Sequence, residues 1–353
     1  VNRNDTPLSR ILKTYIEAHG PITFRDCMEQ MLYHPEWGFY SKGPNIGSRE
    51  GTFHTSAMFP AFGYCVAQAV RQAEALLGEP LRIVEFGGGT GEVGARILSH
   101  LSSPHEYVVI ETSPGLRQKQ EALGLTVVEH VDALAPAPSF VFANEVIDAL
   151  PVHRVMGDSQ GNCLEMYIMI DQAGCLAEEF GPPSTTKIAT RLHSEGIALG
   201  RGQLAEICLE IDPFIQSAAS IISKGYLVII DYGDEAASLY HHSRRNGSLR
   251  CYYQQQLVHD PLDHIGEQDI TADVDFTALR AAAHSAGLET AGQSWQGPWL
   301  KNLGIHEFHP EGIPIQAIQA DVEQLTSPAR LGSTFDVLAW KTPDIPNAPG
   351  FHS

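Results

Sequence analysis

The sequence predicts an α/β fold: a doubly wound, mostly parallel sheet with a helical segment ahead of it and a module inserted into it. Three observations carry that expectation. From Leu81 onward short apolar runs alternate with helix-like stretches through short connections, the succession a parallel sheet requires. The first run, LRIVEF, passes directly into the glycine cluster GGGTGEVG. The alternation then breaks once, over residues 152–206, before it resumes.

Taken in order, residues 8–32 read as helical: Leu8, Ile11, Leu12, Tyr15 and Ile16 recur at helical spacing, and a second helix follows the Gly20-Pro21 break. YHPEWGFYSKGPNIGSREGTF, Tyr33 to Phe53, combines glycine, proline and aromatic rings. An ordered but irregular loop is expected, since a disordered linker carries fewer rings. LRIVEF (81–86) reads as a buried strand, GEVGARILSHL (91–101) as a helix, EYVVIE (106–111) as a strand and SPGLRQKQEAL (113–123) as a helix. LTVVEH (125–130) and SFVFAN (139–144) read as strands, with EVIDAL a short helical turn behind the latter. Between 152 and 206 stand strand-like runs such as VHRVMG and CLEMYIMI, a Pro182-Pro183 break and little helix signal. The α/β pattern returns with DPFIQSAASIIS, then the apolar strand GYLVIIDYG (225–233), the helix DFTALRAAAHSAGL (275–288) and a closing strand STFDVLAWK (333–341). The expected division is a helical segment with the aromatic loop over 1–75, a ligand-binding sheet domain over 76–151 and 207–345, and an inserted lid or substrate module over 152–206.

Composition excludes some functions. The 353 residues carry 23 basic and 42 acidic side chains, a net charge of −19, which repels polyanions, so neither nucleic acid nor an anionic membrane is an expected partner. A basic protein or peptide is compatible with that charge. No apolar run approaches the ~18 residues a membrane helix needs. Cys27, Cys65, Cys163, Cys175, Cys208 and Cys251 form no C-x-x-C pair; reduced thiols and no metal site are expected. The first twenty residues lack a signal-peptide core. A cytoplasm of bacterial type is the expected location, or the mitochondrial matrix if a presequence has been removed. A homodimer is compatible with all of this.

The glycine cluster poses the functional question. Gly89-x-Gly91-x-x-Gly94 satisfies a dinucleotide fingerprint, and Glu111 lies 20 residues beyond Gly91, where a ribose-binding acid is expected. A bare tight turn is the alternative. Glu85, two residues before Gly87 at the strand end, separates the candidate ligands. A carboxylate repels a pyrophosphate, whereas S-adenosylmethionine carries an ammonium, a sulfonium and no phosphate, so the charge favours the methyl donor. Glu85, Gly87, Gly89 and Gly91 would hold it, Glu111 would take the ribose hydroxyls, and Asp132 would accept from the adenine amino group.

In an open α/β sheet ligands lie beyond the carboxyl ends of the strands at the switch point. That places Asn144, Glu145 and Asp148 beside the transferable methyl group as candidate catalytic residues. Carboxylates there suit a guanidinium acceptor, and a proton acceptor is needed when the nucleophile arrives protonated. The alternative for Asn144 and Glu145 is capping of the EVIDAL turn.

These residues, with others spread along the chain, resemble the MidA-like family of S-adenosylmethionine-dependent methyltransferases. The matching segments are PITFRDCMEQMLYHPEWGFY, VEFGGGTGEVG, YVVIETSPGLRQKQ, ANEVIDALPVHR, GYLVIIDYG, GSLRCYYQQQLVHDPL, GEQDITADVDFTAL and WLKNLGI. The resemblance implies a class I methyltransferase sheet of Rossmann-like form, S-adenosyl-L-methionine as cofactor and protein arginine methylation as one activity. It also implies that the Tyr33–Tyr40 loop and GEQDIT close over the donor, with Trp37, Phe39 and Tyr40 serving either as contacts or as packing. Three departures stand out: Gly88 replaces a proline, Met58 lies where an acid is usual, and Asp273 replaces a histidine. The last two bear on the acceptor.

Sixteen histidines invite a metal hypothesis. His241 and His242 sit in a polar run where solvent exposure is expected, and His34 and His54 flank the aromatic loop. Four functions follow from the residues: methylation of a protein arginine, methylation of a small molecule, a non-catalytic assembly factor that keeps the fold, and a nicotinamide dehydrogenase.

Overall fold

Seven strands build the main sheet: β1 (Arg82–Phe86), β2 (Tyr107–Ile110), β3 (Thr126–Val128), β4 (Ala137–Asn144), β5 (Ile222–Asp231), β6 (Glu289–Trp295) and β7 (Asp336–Lys341). Their spatial order is 3-2-1-4-5-7-6. Strands β1 to β5 run parallel, and β7 pairs antiparallel with both β5 and β6. A dinucleotide-binding sheet places its sixth strand directly beside the fifth; here the reversed β7 separates them, which is the class I methyltransferase arrangement that the resemblance implies. The computed structural model of the chain describes residues 5–44, 55–102 and 104–351.

The strands read as continuous apolar runs because helices cover the faces of a parallel sheet. All five residues of β1 and all four of β2 are buried. Three helices accompany them: α1 (Pro60–Leu77), α2 (Glu92–His100) and α3 (Pro114–Ala122). Proline opens α1 at its first turn and Gly78, left-handed at φ 71°, ends it, the usual division of labour between these residues at helix ends. Ser113 caps α3 by accepting from the Leu116 amide. Phe62, Val66, Val70, Ile83, Ile97, Phe140, Trp299 and Leu325 belong to one buried core.

The chain divides into two units. One comprises Gly43–Val146, Pro213–Tyr232 and Arg280–Ser353, and holds the seven-stranded sheet. The other comprises Val1–Lys42, Ile147–Asp212 and Gly233–Leu279. It contains a five-stranded sheet (Ile22–Thr23, His153–Gly157, Cys163–Ile170, Leu176–Gly181 and Leu204–Ile207) and a three-stranded one (Arg250–Tyr253, Gln256–Val258 and Asp269–Thr271). The helices Pro7–His19 and Phe24–Tyr33 lie on either side of the Gly20-Pro21 break. The cut differs from the segments drawn along the sequence: α1, which begins within 1–75 and ends at Leu77, groups with the main sheet, and Gly233–Leu279 groups with the 152–206 module.

Local differences have local causes. The helix Thr186–Ser194, absent from the sequence expectation, buries only Ile188 and Leu192, too narrow an apolar face to stand out by periodicity. EVIDAL forms a single 3-10 turn over Ile147–Ala149. The expected loop 33–53 includes helical turn Tyr40–Lys42, and its portion from 45 on, like His54, lies outside the described residues.

Candidate functional site

The order reverses between β1 and β4, so the loops leaving these two strands flank the switch point. Glu85 pairs across to Phe142 and Phe86 to Ala143, which brings the glycine turn and the Asn144-Glu145 corner to the same end of the sheet.

The turn needs its glycines. Gly87, Gly89 and Gly91 have φ of 64°, 52° and 84°, a region that side chains disfavour. A Cβ on Gly91 would stand 3.1 Å from the Gln120 side chain. At Gly88 it would come within 2.8 Å of Val109, so the space beside the turn is already filled by β2. Gly91 leads into α2, whose first turn carries Glu92.

Glu85 lies buried beneath this loop and accepts a hydrogen bond of 2.7 Å from the Tyr107 hydroxyl. Burial pushes its carboxyl up to about 7; the Tyr107 bond opposes that shift, and the nearby Glu111 charge adds to it. The full negative charge assumed from sequence is thus about half present at neutral pH.

Glu111, at the end of β2, is buried and accepts from the Ser113 amide at 2.9 Å and from Gln120 Nε2 at 3.3 Å. Burial raises its pKa, against the Ser113 and Gln120 hydrogen bonds and Arg117. The same Gln120 nitrogen donates to the Gly89 carbonyl at 2.9 Å, tying the acid to the turn. Gln120 Oε1 is buried with no partner. Asp132 lies exposed in the 3-10 turn Val131–Ala133 behind β3.

At the end of β4 the backbone turns sharply. Glu145 has φ 53° while its amide still donates to the Ile230 carbonyl at 2.8 Å. Its Oε1 accepts from the Thr55 hydroxyl and from Asn144 Nδ2, the latter at 3.0 Å. Asn144 Oδ1 is buried without a partner.

Asp148 belongs to the other unit, where it is buried and its carbonyl accepts from the Ala272 amide at 2.9 Å. That unit also joins the aromatic loop to GEQDIT: Tyr40 Oη donates to Asp269 Oδ1 at 2.7 Å, and the Tyr33 and Tyr40 rings stack at 5.4 Å. Burial lifts Asp269 to about 7, the Tyr40 bond opposing and Asp148 adding to the shift. Phe39 is buried and Trp37 half-buried. Asp273 pairs with both Arg244 and Arg250, and its amide donates to the Ser248 hydroxyl at 3.1 Å; it anchors a loop. Met58 is buried at the end of the turn Ser56–Met58. His241 and His242 are exposed. Among the described residues no three His, Cys, Asp or Glu side chains gather as a metal site would require.

Comparison with known proteins separates the methyl donor from the nicotinamide cofactor. Residues 63–294 match the model of the S-adenosyl-L-methionine-dependent methyltransferase family Methyltransf_28. The chain belongs to this family. It is a methyltransferase of the MidA-like group, and its cofactor is S-adenosyl-L-methionine. A COG1565 superfamily member from Burkholderia thailandensis, crystallised with S-adenosyl-homocysteine, is 31% identical, with a TM-score of 0.88 over 97% of this chain and 93% of that one. The protein arginine methyltransferase NDUFAF7 of Rattus norvegicus, named as mitochondrial, is 27% identical over 95% of this chain and 84% of its own length. Its Drosophila melanogaster homolog is 26% identical over 94% and 84%. No helix among the described residues is long and apolar enough to cross a membrane.

Two residues escaped the sequence reading. Gln120 reads as one more polar position of a helix, and Thr55 lies 90 residues from the Glu145 it touches. Neither position carries a local signal of its role.

Proposed function

We propose that the methyltransferase transfers its methyl group to an arginine nitrogen of a protein partner. The observation that carries this reading is a pair of acceptors at the end of β4: the Glu145 carboxylate and the unpartnered Asn144 Oδ1. A guanidinium offers five N–H donors and no acceptor, so it complements both, and a carboxylate pairs with it in two-pronged fashion. The curated relatives named as protein arginine methyltransferases support the same choice.

On the donor side, the positive-φ glycines 87, 89 and 91 admit close backbone approach, and Glu111 with the orphaned Gln120 Oε1 offers acceptors suited to ribose hydroxyls. Asp132 is assigned to the adenine amino group, and Glu85 supplies negative potential from below the turn. Bound there, S-adenosylmethionine supplies a methyl group on a positively charged sulfur. The chain's own contribution is placement and proton handling. Glu145 and Asn144 orient the guanidinium, and as its nitrogen gains the methyl group the Glu145 carboxylate takes the proton released. Free guanidinium holds that proton above about pH 12, so loss of the proton and formation of the new bond belong together. Asp148, the third catalytic candidate offered by the sequence, belongs to the other unit and is given no part in this step.

Incubation of the protein with tritiated donor and a size-fractionated lysate tests the assignment. Label in one protein band, recovered as methylarginine after acid hydrolysis, is the expected outcome. Label only in the low-mass fraction assigns a metabolite acceptor instead, and label in neither leaves an assembly factor that binds the donor without turnover. The mitochondrial names of the relatives support the matrix as its place of work, with a bacterial-type cytoplasm as the alternative; fractionation and blotting separate the two.

A further inference from the structure

Thr55 is buried and stands beside Glu145 although 90 residues separate them along the chain. Its hydroxyl has one proton to give. The oxygen accepts from the Ala57 amide at 3.2 Å, closing the 3-10 turn Ser56–Met58, while the proton goes to Glu145 Oε1. A hydroxyl that accepts on one side and donates on the other has its direction set, so the Glu145 carboxylate is aimed from outside its own corner.

The turn carrying Thr55 is itself fastened at two more points. Ser56, fully buried, donates to Oε1 of the equally buried Gln296 at 2.7 Å, and Gln296 Nε2 reaches the Leu331 carbonyl at 3.5 Å. Arg96 donates to the Ala57 carbonyl at 2.8 Å and pairs with Glu92 at 2.5 Å. Glu92 and Arg96 lie on α2, the helix that the glycine turn opens. Thr55, Asn144 and Glu145 therefore share a frame with the donor loop, and all of these residues lie in one unit.

We infer that Thr55 is a positioning residue: its hydroxyl fixes the Glu145 carboxylate at the place where the transferable group and the acceptor nitrogen meet. This rests on the role assigned to Glu145 above, and it adds a residue that makes no contact with the acceptor. Glu145 holds a backbone conformation unusual for a side-chain-bearing residue. Without the Thr55 hydroxyl the carboxylate loses one of the bonds that hold it, and with that bond part of the aim that a reacting geometry requires.

The test needs no acceptor. Sinefungin carries an amine where the donor carries its transferable methyl group, so a carboxylate aimed at that spot tightens sinefungin relative to S-adenosylhomocysteine, which has nothing there. Both are titrated by calorimetry into wild type, Glu145→Gln, Thr55→Val and Thr55→Ser. The expected result is a loss of sinefungin affinity of about tenfold in Glu145→Gln and Thr55→Val, the scale of a charge-assisted hydrogen bond. Thr55→Ser recovers most of the loss, and S-adenosylhomocysteine binding stays within about twofold throughout. If Glu145→Gln leaves the ratio of the two affinities unchanged, the role of Glu145 fails and the inference falls with it. If Glu145→Gln lowers the ratio and Thr55→Val does not, Glu145 stands and Thr55 is refuted as its positioner. Should Thr55→Val not fold, as judged by its S-adenosylhomocysteine affinity, Thr55→Ala makes the same deletion with less bulk and is held to the same ratio. In turnover, Thr55→Val should lower kcat with KM for the donor unchanged and move the acidic limb of the pH profile upward, because a carboxylate that loses a donor holds its proton more tightly; Thr55→Ser should restore both.

Discussion

Glu85 offers a direct measure of how this protein attracts its cofactor. Its carboxyl lies buried under the glycine turn, with Tyr107 donating to it, and titrates near 7. The donor's positive charges favour the ionised form, so binding should draw the proton off. A group with a pKa near 7 is about one-tenth ionised at pH 6 and nine-tenths at pH 8. If only the ionised form binds, affinity for S-adenosylmethionine should rise about tenfold across that interval, roughly 1.4 kcal/mol. Calorimetry at pH 6, 7 and 8, in two buffers of different ionisation enthalpy, reads both the affinity and the protons released. Glu85→Gln has no proton to lose, so subtracting its profile removes every other titrating group, including the donor's own. The expected difference is a tenfold rise confined to wild type, with a fraction of a proton released near pH 7. Identical pH profiles for the two proteins would refute the electrostatic account of the turn, even if the donor binds there.

Other consequences are open to measurement. Glu111→Ala should weaken donor binding by about 1–3 kcal/mol, the scale for losing a hydrogen bond to a charged group, as read by calorimetry. Gly91→Ala forces a side chain into φ 84° and against Gln120; a loss of about 1–3 kcal/mol in urea unfolding, together with weaker donor binding, is expected. Asp269, lifted by burial from 3.8 to about 7, should make the fold less stable as pH rises. A raised carboxyl helps fully below its unfolded value and stops helping as pH passes the folded one. Asp269→Asn should therefore gain on wild type between pH 4 and pH 8, by up to roughly 4 kcal/mol; a constant difference across that range would show that the carboxyl is not buried as described.

The central parallel strands were legible because both faces are covered, which turns them into short apolar runs: β1 and β2 bury every residue. The loop residues Gly87, Gly89, Gly91 and Glu111 were legible because a left-handed turn and an acid at the next strand end leave marks at fixed spacing. β6 was not expected from sequence. Four of the residues in ETAGQSW face solvent and one is glycine, so no run or alternation of apolar positions forms. α1 went unremarked for the opposite reason: a helix rich in alanine, with Ala61, Ala67, Ala69 and Ala73 all buried, carries a weak periodic signal. The sequence offers Glu85 as a charge, but how much of that charge is present depends on burial beneath the turn, which no local pattern reports. Thr55 is the extreme case, since its partner is fixed by tertiary folding alone.

The interleaving of the two units sets an order of events during synthesis. β4 finds its neighbour β5 through pairs that run from Ala137 with Ile222 to Asn144 with Ile230, and Ile147–Asp212, part of the other unit, lies between them in the chain. A ribosome therefore delivers β4 with one edge bare and must translate nearly eighty more residues before the covering strand begins, several seconds at ordinary elongation rates. During that interval the nascent chain exposes a strand edge that would readily pair with another copy, and a translational pause in that interval should raise the yield of aggregates without changing a single residue of the finished protein.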